Sequence, residues 1–372
     1  MRVLMLSKAL VSGTSQRKLE ELAKFPGMEL TLVTPPYWLH DNGKKQTLEK
    51  LYTTGYRMIV TPMARNGNYH LHSYPELAEI MREIQPEVVH IDEEPYNLAT
   101  FQAMRLARRH KAHALFFTWQ NLYRTYPPPF RQMELYNYKH ADVALAGNRE
   151  AVDVLRRKGY KKNVYVIPQF GFDPEIYKRS APRPMRKPGD PFILGFIGRL
   201  VETKGLTTIV EALTSLPDYC QALFVGDGPM QSVLEEEAKR LGVSARVTIR
   251  PSVPTYEVPG MLAAFDVHVL PSRTFPNWKE QFGRTLAEAM ACETPVIGSD
   301  SGEIPHVIGD AGLVFPEGNA RELAARVRQL LDDPQLYAEL AAKGRRRVLE
   351  NYTQERIARQ TFEVYQEMLA KQ

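Results

Sequence analysis

Short β-branched and aromatic runs alternate along this chain with segments of helical period, and they do so in two successive rounds. In the first, RVLMLS, LTLVTP, EVVHID, ALFFTW, DVALAG and NVYVIP read as strands. ELAEIMREI between them sets Leu77, Ile80, Met81 and Ile84 at helical spacing. NREAVDVLRRKG opens on an Asn cap at Asn148 and stops at Gly159. After FGFDPEIYKRSAPRPMRKPGDP (170–191), crowded with prolines and charges, the alternation restarts with PFILGFIG, LTTIVEALTSL, QALFVGDG and MQSVLEEEAKRLG. RVTIRPS, VHVLPS, PVIGSD and GLVFP continue it, and the last fifty residues turn helical. This rhythm predicts parallel α/β units. The expected domains are 1–171, a linker at 172–190 and 191–352, since 372 residues exceed one ordinary core. Two doubly wound domains place a ligand cleft where the carboxyl ends of their strands face each other.

Composition narrows the classes. Hydrophobic content of 44% and charged content of 24% are those of a soluble globular protein. Cys220 and Cys292 fall in different elements, suggest no disulfide framework and fit a reducing compartment. MRVLMLSKAL, broken by Lys8, reads as a strand rather than a signal peptide, and no 18-residue apolar run appears. Net charge is +5, but residues 1–172 hold 24 Lys/Arg against 16 Asp/Glu. Arg105, Arg108 and Arg109 share one helix face, and RRKGYKK (156–162) forms a second cluster. Such a basic half suits either an anionic membrane surface or plain solvent. Without a zinc-ligand pattern or an RNP-type aromatic motif, nucleic acid is disfavoured as a partner. No GxGxxG follows a strand, which disfavours a nicotinamide cofactor. His70 and His72 make only a weak metal pattern, so no metal site and no cofactor are expected.

Segments at strand exits in the second half carry the chemistry. GRLVETKG (198–205) brackets Arg199 and Lys204 between Gly198 and Gly205, a cation pair suited to an anion. GDGP (226–229), PSR (271–273) and SDSGEIPHVIG (299–309) follow other strands. In EQFGRTLAEAMA (280–291), Phe282-Gly283 precede a helix whose first-turn N–H groups form a second anion site. Glu280 and Glu288 flank its start, and their carboxylates suit the hydroxyl pairs of a ribose and a hexose.

These motifs, with PVIGSDSGEIP, resemble the signature of retaining glycosyltransferases of the GT-B fold, family 4. The resemblance implies two Rossmann-like domains facing across a cleft, with a terminal helix, 353–372, crossing back to the first. It implies that Arg199 and Lys204 hold the diphosphate of a nucleotide sugar, a UDP- or GDP-sugar, helped by the amides of Arg284, Thr285 and Leu286. Glu288 then binds the ribose, Glu280 the transferred sugar, Val253 and Tyr256 flank the base, and Gly13 approaches the donor from the first domain. The histidine that many members place beside the sugar is replaced by FFTWQNLYRTYP, where Gln120 or Asn121 can orient a hydroxyl but not act as a base. Glu93 or Glu94 of HIDEEPYN meets the acceptor. The expected function is retaining transfer to a sugar, lipid-linked or polysaccharide acceptor, in the cytoplasm or peripherally on the inner membrane face; a nucleotide-sugar epimerase is the alternative.

Overall fold

Val3, Leu4, Met5 and Leu6 are all buried, which is why RVLML shows no polar alternation: both faces of its strand are covered. The structure, a computed structural model, describes residues 1–40, 43–179 and 189–370. It divides into two units, Met1–Gly171 with Gln354–Gln372, and Phe172–Thr353.

In the first unit the order is β1 (Arg2–Leu6), α1 (Arg17–Ala23), β2 (Glu29–Thr34), β3 (Tyr37–Leu39), β4 (Lys45–Thr47) and β5 (Arg57–Val60). Then come α2 (Leu77–Ile84), β6 (Val88–Ile91), α3 (Leu98–Arg109), β7 (His113–Thr118), α4 (Phe130–His140), β8 (Val143–Ala146), α5 (Arg149–Arg157) and β9 (Val164–Val166). A parallel sheet runs β5-β2-β1-β6-β7-β8-β9, while β3 and β4 pair as a separate antiparallel ribbon. β3, β4 and β5 are short and half-exposed, and sequence periodicity did not mark them. Alternate residues of β1 feed opposite layers. Leu4 and Leu6 join Leu77, Met81, Met104 and Phe116 on one face. Val3 and Met5 join Leu19, Leu22 and Leu115 on the other. The helix Gln354–Ala370 completes that second layer with Ile357, Val364, Tyr365 and Met368. Tyr365 Oη lies 2.6 Å from His90 Nδ1, and Phe362 stacks on Phe25. Asn148 caps α5 by accepting from the Ala151 N–H at 2.8 Å, as its sequence position predicts.

The second unit continues with β10 (Phe192–Ile197), α6 (Thr207–Leu213), β11 (Cys220–Val225), α7 (Met230–Arg240), β12 (Val247–Arg250), α8 (Val258–Ala264) and β13 (Val267–Leu270). It ends with α9 (Arg284–Ala291), β14 (Val296–Ser299), α10 (Ile304–Ile308), β15 (Leu313–Phe315), α11 (Ala320–Asp332) and α12 (Pro334–Asn351). Its parallel sheet runs β12-β11-β10-β13-β14-β15. Strand order therefore reverses between β10 and β13, and ligands of such sheets bind outside the carboxyl ends at that reversal. Of the segment read as a linker, residues 172–179 belong to this unit. Phe172 N–H donates to Tyr352 O at 2.8 Å, and Arg179 reaches Ala263 O at 3.0 Å. Residues 180–188 lie outside the described ones. Among the described residues no helix is long and apolar enough to cross a membrane.

Candidate functional site

At the reversal point of the second unit the strand exits are locked together through glycine backbone. A Cβ on Gly226 would stand 1.9 Å from Gly198 O, one on Gly228 2.2 Å from Leu200 O, and one on Gly205 2.2 Å from Pro271 O. All three have positive φ, so only glycine meets both demands. Leu200 N–H donates to Asp227 O at 2.9 Å, and Arg273 N–H to Thr203 O at 2.9 Å. GRLVETKG, GDGP and PSR thus form one fitted rim.

Lys204 is aimed along that rim. Its Nζ lies 2.6 Å from Glu280 Oε2 and 5.2 Å from the centre of the Trp278 ring. The same Glu280 oxygen accepts from Ser272 Oγ at 2.7 Å. Glu280 is 8% exposed, so its charge is held by these partners more than by water. Arg199, on the same loop, is exposed and makes no side-chain ion pair or hydrogen bond among the described residues.

Gly283, with φ of 82°, caps α9. Of the three amides expected to reach a phosphate, that of Leu286 is engaged: it donates to Gly283 O at 2.9 Å, closing the first turn. The donors left for an anion are those nearer the helix start. Thr285 is fixed by His268, whose Nε2 lies 3.0 Å from Thr285 Oγ1. Glu288 is 5% exposed and accepts from Arg284 Nε at 2.8 Å and Tyr177 Oη at 3.0 Å. Burial lifts its carboxyl above the ordinary range, with Arg284 opposing. Glu280 and Glu288 therefore sit in separate networks.

Burial holds the His268 ring neutral down to about pH 3. An unfolded histidine titrates near 6.5. Its contribution to stability is thus complete above pH 6.5 and is lost as pH falls from there towards 3. Urea midpoints should fall across that window, and the fall should be shallower in His268→Gln. An unchanged pH profile in the variant would refute the assignment.

Val253 is half-buried and Tyr256 is 78% exposed in the turn before α8. In the first unit, Gly13 is engaged within the unit. Its N–H donates to Glu49 Oε2 at 2.8 Å, and Leu51 occupies the space where a Cβ would point. Glu93 is buried between Lys8, His72 and Asn97, its oxygen 3.4 Å from His72 Nε2. Burial alone would raise its carboxyl, but Lys8 and His72 outweigh that and bring it down to about 2. Glu94 differs. Its residue is half-buried but its carboxylate is enclosed, accepting from Thr118 Oγ1 at 2.6 Å and the Trp119 N–H at 2.8 Å. Burial, only partly opposed by those donors, raises it to about 7. Gln120 is buried and spans Tyr126 Oη at 3.3 Å and Lys158 Nζ at 3.1 Å. Lys158 is itself 2.5 Å from the buried Glu134. Asn121 donates to Glu150 at 3.3 Å. These amides hold the loop as they stand.

Residues 178–347 match the family described as "Glycosyl transferases group 1", and residues 17–173 match "Glycosyltransferase Family 4". The chain belongs to the group 1, family 4 glycosyltransferases. Both descriptions are of transferases rather than epimerases. Similar curated proteins include alpha-maltose-1-phosphate synthase of Mycolicibacterium smegmatis, 32% identical over 48% of each chain. The GDP-mannose-dependent alpha-(1-6)-phosphatidylinositol monomannoside mannosyltransferase of the same organism is 32% identical over 49% of each. The chain spans about half the length of these relatives. Anabaena HepE, solved with UDP, superposes with a TM-score of 0.72 at 18% identity over 99% of this chain and 100% of its own. That likeness shows a GT-B fold.

The sequence motifs left out Tyr177 and Trp278 and gave Ser272 no role of its own. Ser272 lay inside PSR and was legible there. Tyr177 and Trp278 gave no signal, because their value comes from reaching Glu288 and Lys204 across the fold.

Proposed function

We propose that the chain transfers a sugar, with retention of anomeric configuration, from a nucleotide diphosphate donor to an acceptor hydroxyl in glycan assembly. The observation that carries this reading is Lys204, fixed 2.6 Å from Glu280 on the glycine-locked loop that also presents the unpaired Arg199. In the reaction the bond from the anomeric carbon to the donor phosphate oxygen breaks, and its electron pair leaves with the diphosphate. Arg199, Lys204 and the first-turn amides of α9 stabilise that growing charge more than the ground state. The acceptor oxygen bonds to the same face of the sugar, and its proton passes to a donor phosphate oxygen. Glu280 holds Lys204 and meets the sugar hydroxyls, Glu288 meets the ribose, and Val253 and Tyr256 close on the base. On the acceptor side Glu94 suits the incoming hydroxyl better than Glu93, whose carboxylate is committed to Lys8 and His72. The acceptor is a sugar, lipid-linked or polysaccharide hydroxyl, and the basic first unit brings the protein onto an anionic membrane. The residues named for the donor require no metal or organic cofactor beyond the nucleotide sugar itself.

A thermal-shift panel of UDP-, GDP- and ADP-hexoses tests the donor. At a hundredfold excess over Kd the true donor stabilises by about 2.7 kcal/mol. That should raise the melting temperature of a unit this size by about 5–10 °C. No shift with any nucleotide sugar overturns the reading, and an inverted product anomer by NMR overturns retention.

A further inference from the structure

Between α2 and α3, on the outer face of the first unit, lies a cavity of about 390 Å³ that none of the chemistry above uses. Its walls are apolar where Ala78, Leu98, Phe101 and Leu106 meet, and its mouth carries Arg105 and Arg109. Neither guanidinium has a carboxylate partner among the described residues; Arg105 lies 5.6 Å over the Phe101 ring instead. The carboxylates of α2 turn elsewhere, Glu83 to Arg57 at 2.6 Å and Glu79 to Arg82 at 4.0 Å. The cavity is also rigidly framed. Gln102 clamps the segment before α2, accepting from the Tyr74 N–H at 3.0 Å and donating to Tyr74 O at 2.7 Å. Leu98 N–H donates to His70 O at 2.9 Å.

We infer that this cavity binds a phosphorylated amphiphile, taking the phosphate of an anionic lipid between Arg105 and Arg109 and the start of its chain against Phe101 and Leu106. Two unpaired guanidinia suit a phosphate, whose planar bidentate contacts arginine makes better than lysine. The apolar lining beside them suits an alkyl chain, a contact that a free phosphate has nothing to make with. The bilayer is therefore the source to which the geometry points. The inference rests on the membrane contact in the functional reading and locates it, independently of the donor chemistry in the second unit.

Flotation of the full chain with phosphatidylcholine vesicles, with and without 30 mol% phosphatidylglycerol (about the anionic fraction that gives a substantial surface potential), tests it. Binding should require the anionic lipid. Arg105→Ala/Arg109→Ala should lose roughly thirtyfold in vesicle affinity, from about 1 kcal/mol per cation at the surface. Arg240→Ala/Arg321→Ala, which removes the same charge from exposed sites of the second unit, should lose much less. Ala78→Trp keeps both arginines but fills the cavity, and should also weaken binding several-fold. Equal losses in the two double variants, or full binding by Ala78→Trp, would reduce the effect to general surface charge and overturn the site. Competition by millimolar inorganic phosphate as effective as that by a soluble short-chain phosphatidic acid would overturn the bilayer as its source. The nucleotide-sugar melting shift, run on the same samples, reports folding and donor binding separately, so a lost membrane site is not mistaken for a lost active site.

Discussion

Lys204→Ala should lower turnover by about a hundredfold to a thousandfold, the effect of removing one charged donor from a developing anion, roughly 2.7–4 kcal/mol. The side chain also holds the buried Glu280 at 2.6 Å, so the same substitution leaves a carboxylate with Ser272 as its remaining hydrogen-bond donor named above. Removing one partner of an enclosed pair destabilises by up to about 3–5 kcal/mol. Both side chains here keep some exposure, 17% of the Lys204 side chain and 10% of the Glu280 side chain, so screening brings the loss below that range. The double variant Lys204→Ala/Glu280→Gln, read against Glu280→Gln alone, separates the two roles. Its melting temperature should recover towards that of the parent while turnover stays low. If turnover recovered together with stability, Lys204 would be a structural cation and the proposed chemistry would fall. Arg199→Ala offers the complement: with no partner to abandon, it should lose about as much rate with little change in melting.

Gly226→Ala should unfold the second unit at a temperature about 6–12 °C lower, or displace the rim. The added methyl would stand 1.9 Å from Gly198 O, at a φ of 152° that side-chain-bearing residues rarely adopt. Strain in such backbone costs about 1–3 kcal/mol, and forcing an atom into a packed site about 1–3 more. About 3 kcal/mol, in the lower half of the summed range, converts to the stated fall at about 2–4 °C per kcal/mol for 150–250 residues. Gly242→Ala makes the contrast. Its φ of 71° is also strained, but nothing lies within 4 Å of its Cβ, so only the backbone cost remains. Equal losses at the two positions would show that the interlock of β10 and β11 exits contributes nothing.

The sheets were legible in the sequence because parallel strands covered on both faces read as unbroken apolar runs, as in PFILGFIG and RVLMLS. β5 escaped because an edge strand with the pattern RMIV, half-exposed, lacks that continuity. The loops at the strand exits were legible through glycine: Gly198, Gly205 and Gly283 marked turns that the backbone does require. Where reading along the chain failed, the partner was distant. Nothing near Glu288 announces Tyr177, 111 residues away. Nothing in EEPYN separates Glu93 from Glu94; Lys8 and His72 do so by enclosing one carboxylate, while Thr118 and Trp119 enclose the other without neutralising it. Gly13 was read as approaching the donor from the first domain, and nothing in LVSGTSQ announced that Leu51 and Glu49 of its own unit crowd it.

The helix Gln354–Ala370 gives the last word on how such a chain must be made. Ile357, Val364, Tyr365 and Met368 cover Val3, Met5 and Leu19, yet they are synthesised only after the whole second unit. A nascent chain on the ribosome therefore carries an open hydrophobic seam on its first half until that helix has been made. Assembly of that half waits for the second unit to be made, and a polypeptide halted at residue 351 should emerge as a chaperone client rather than a finished fragment.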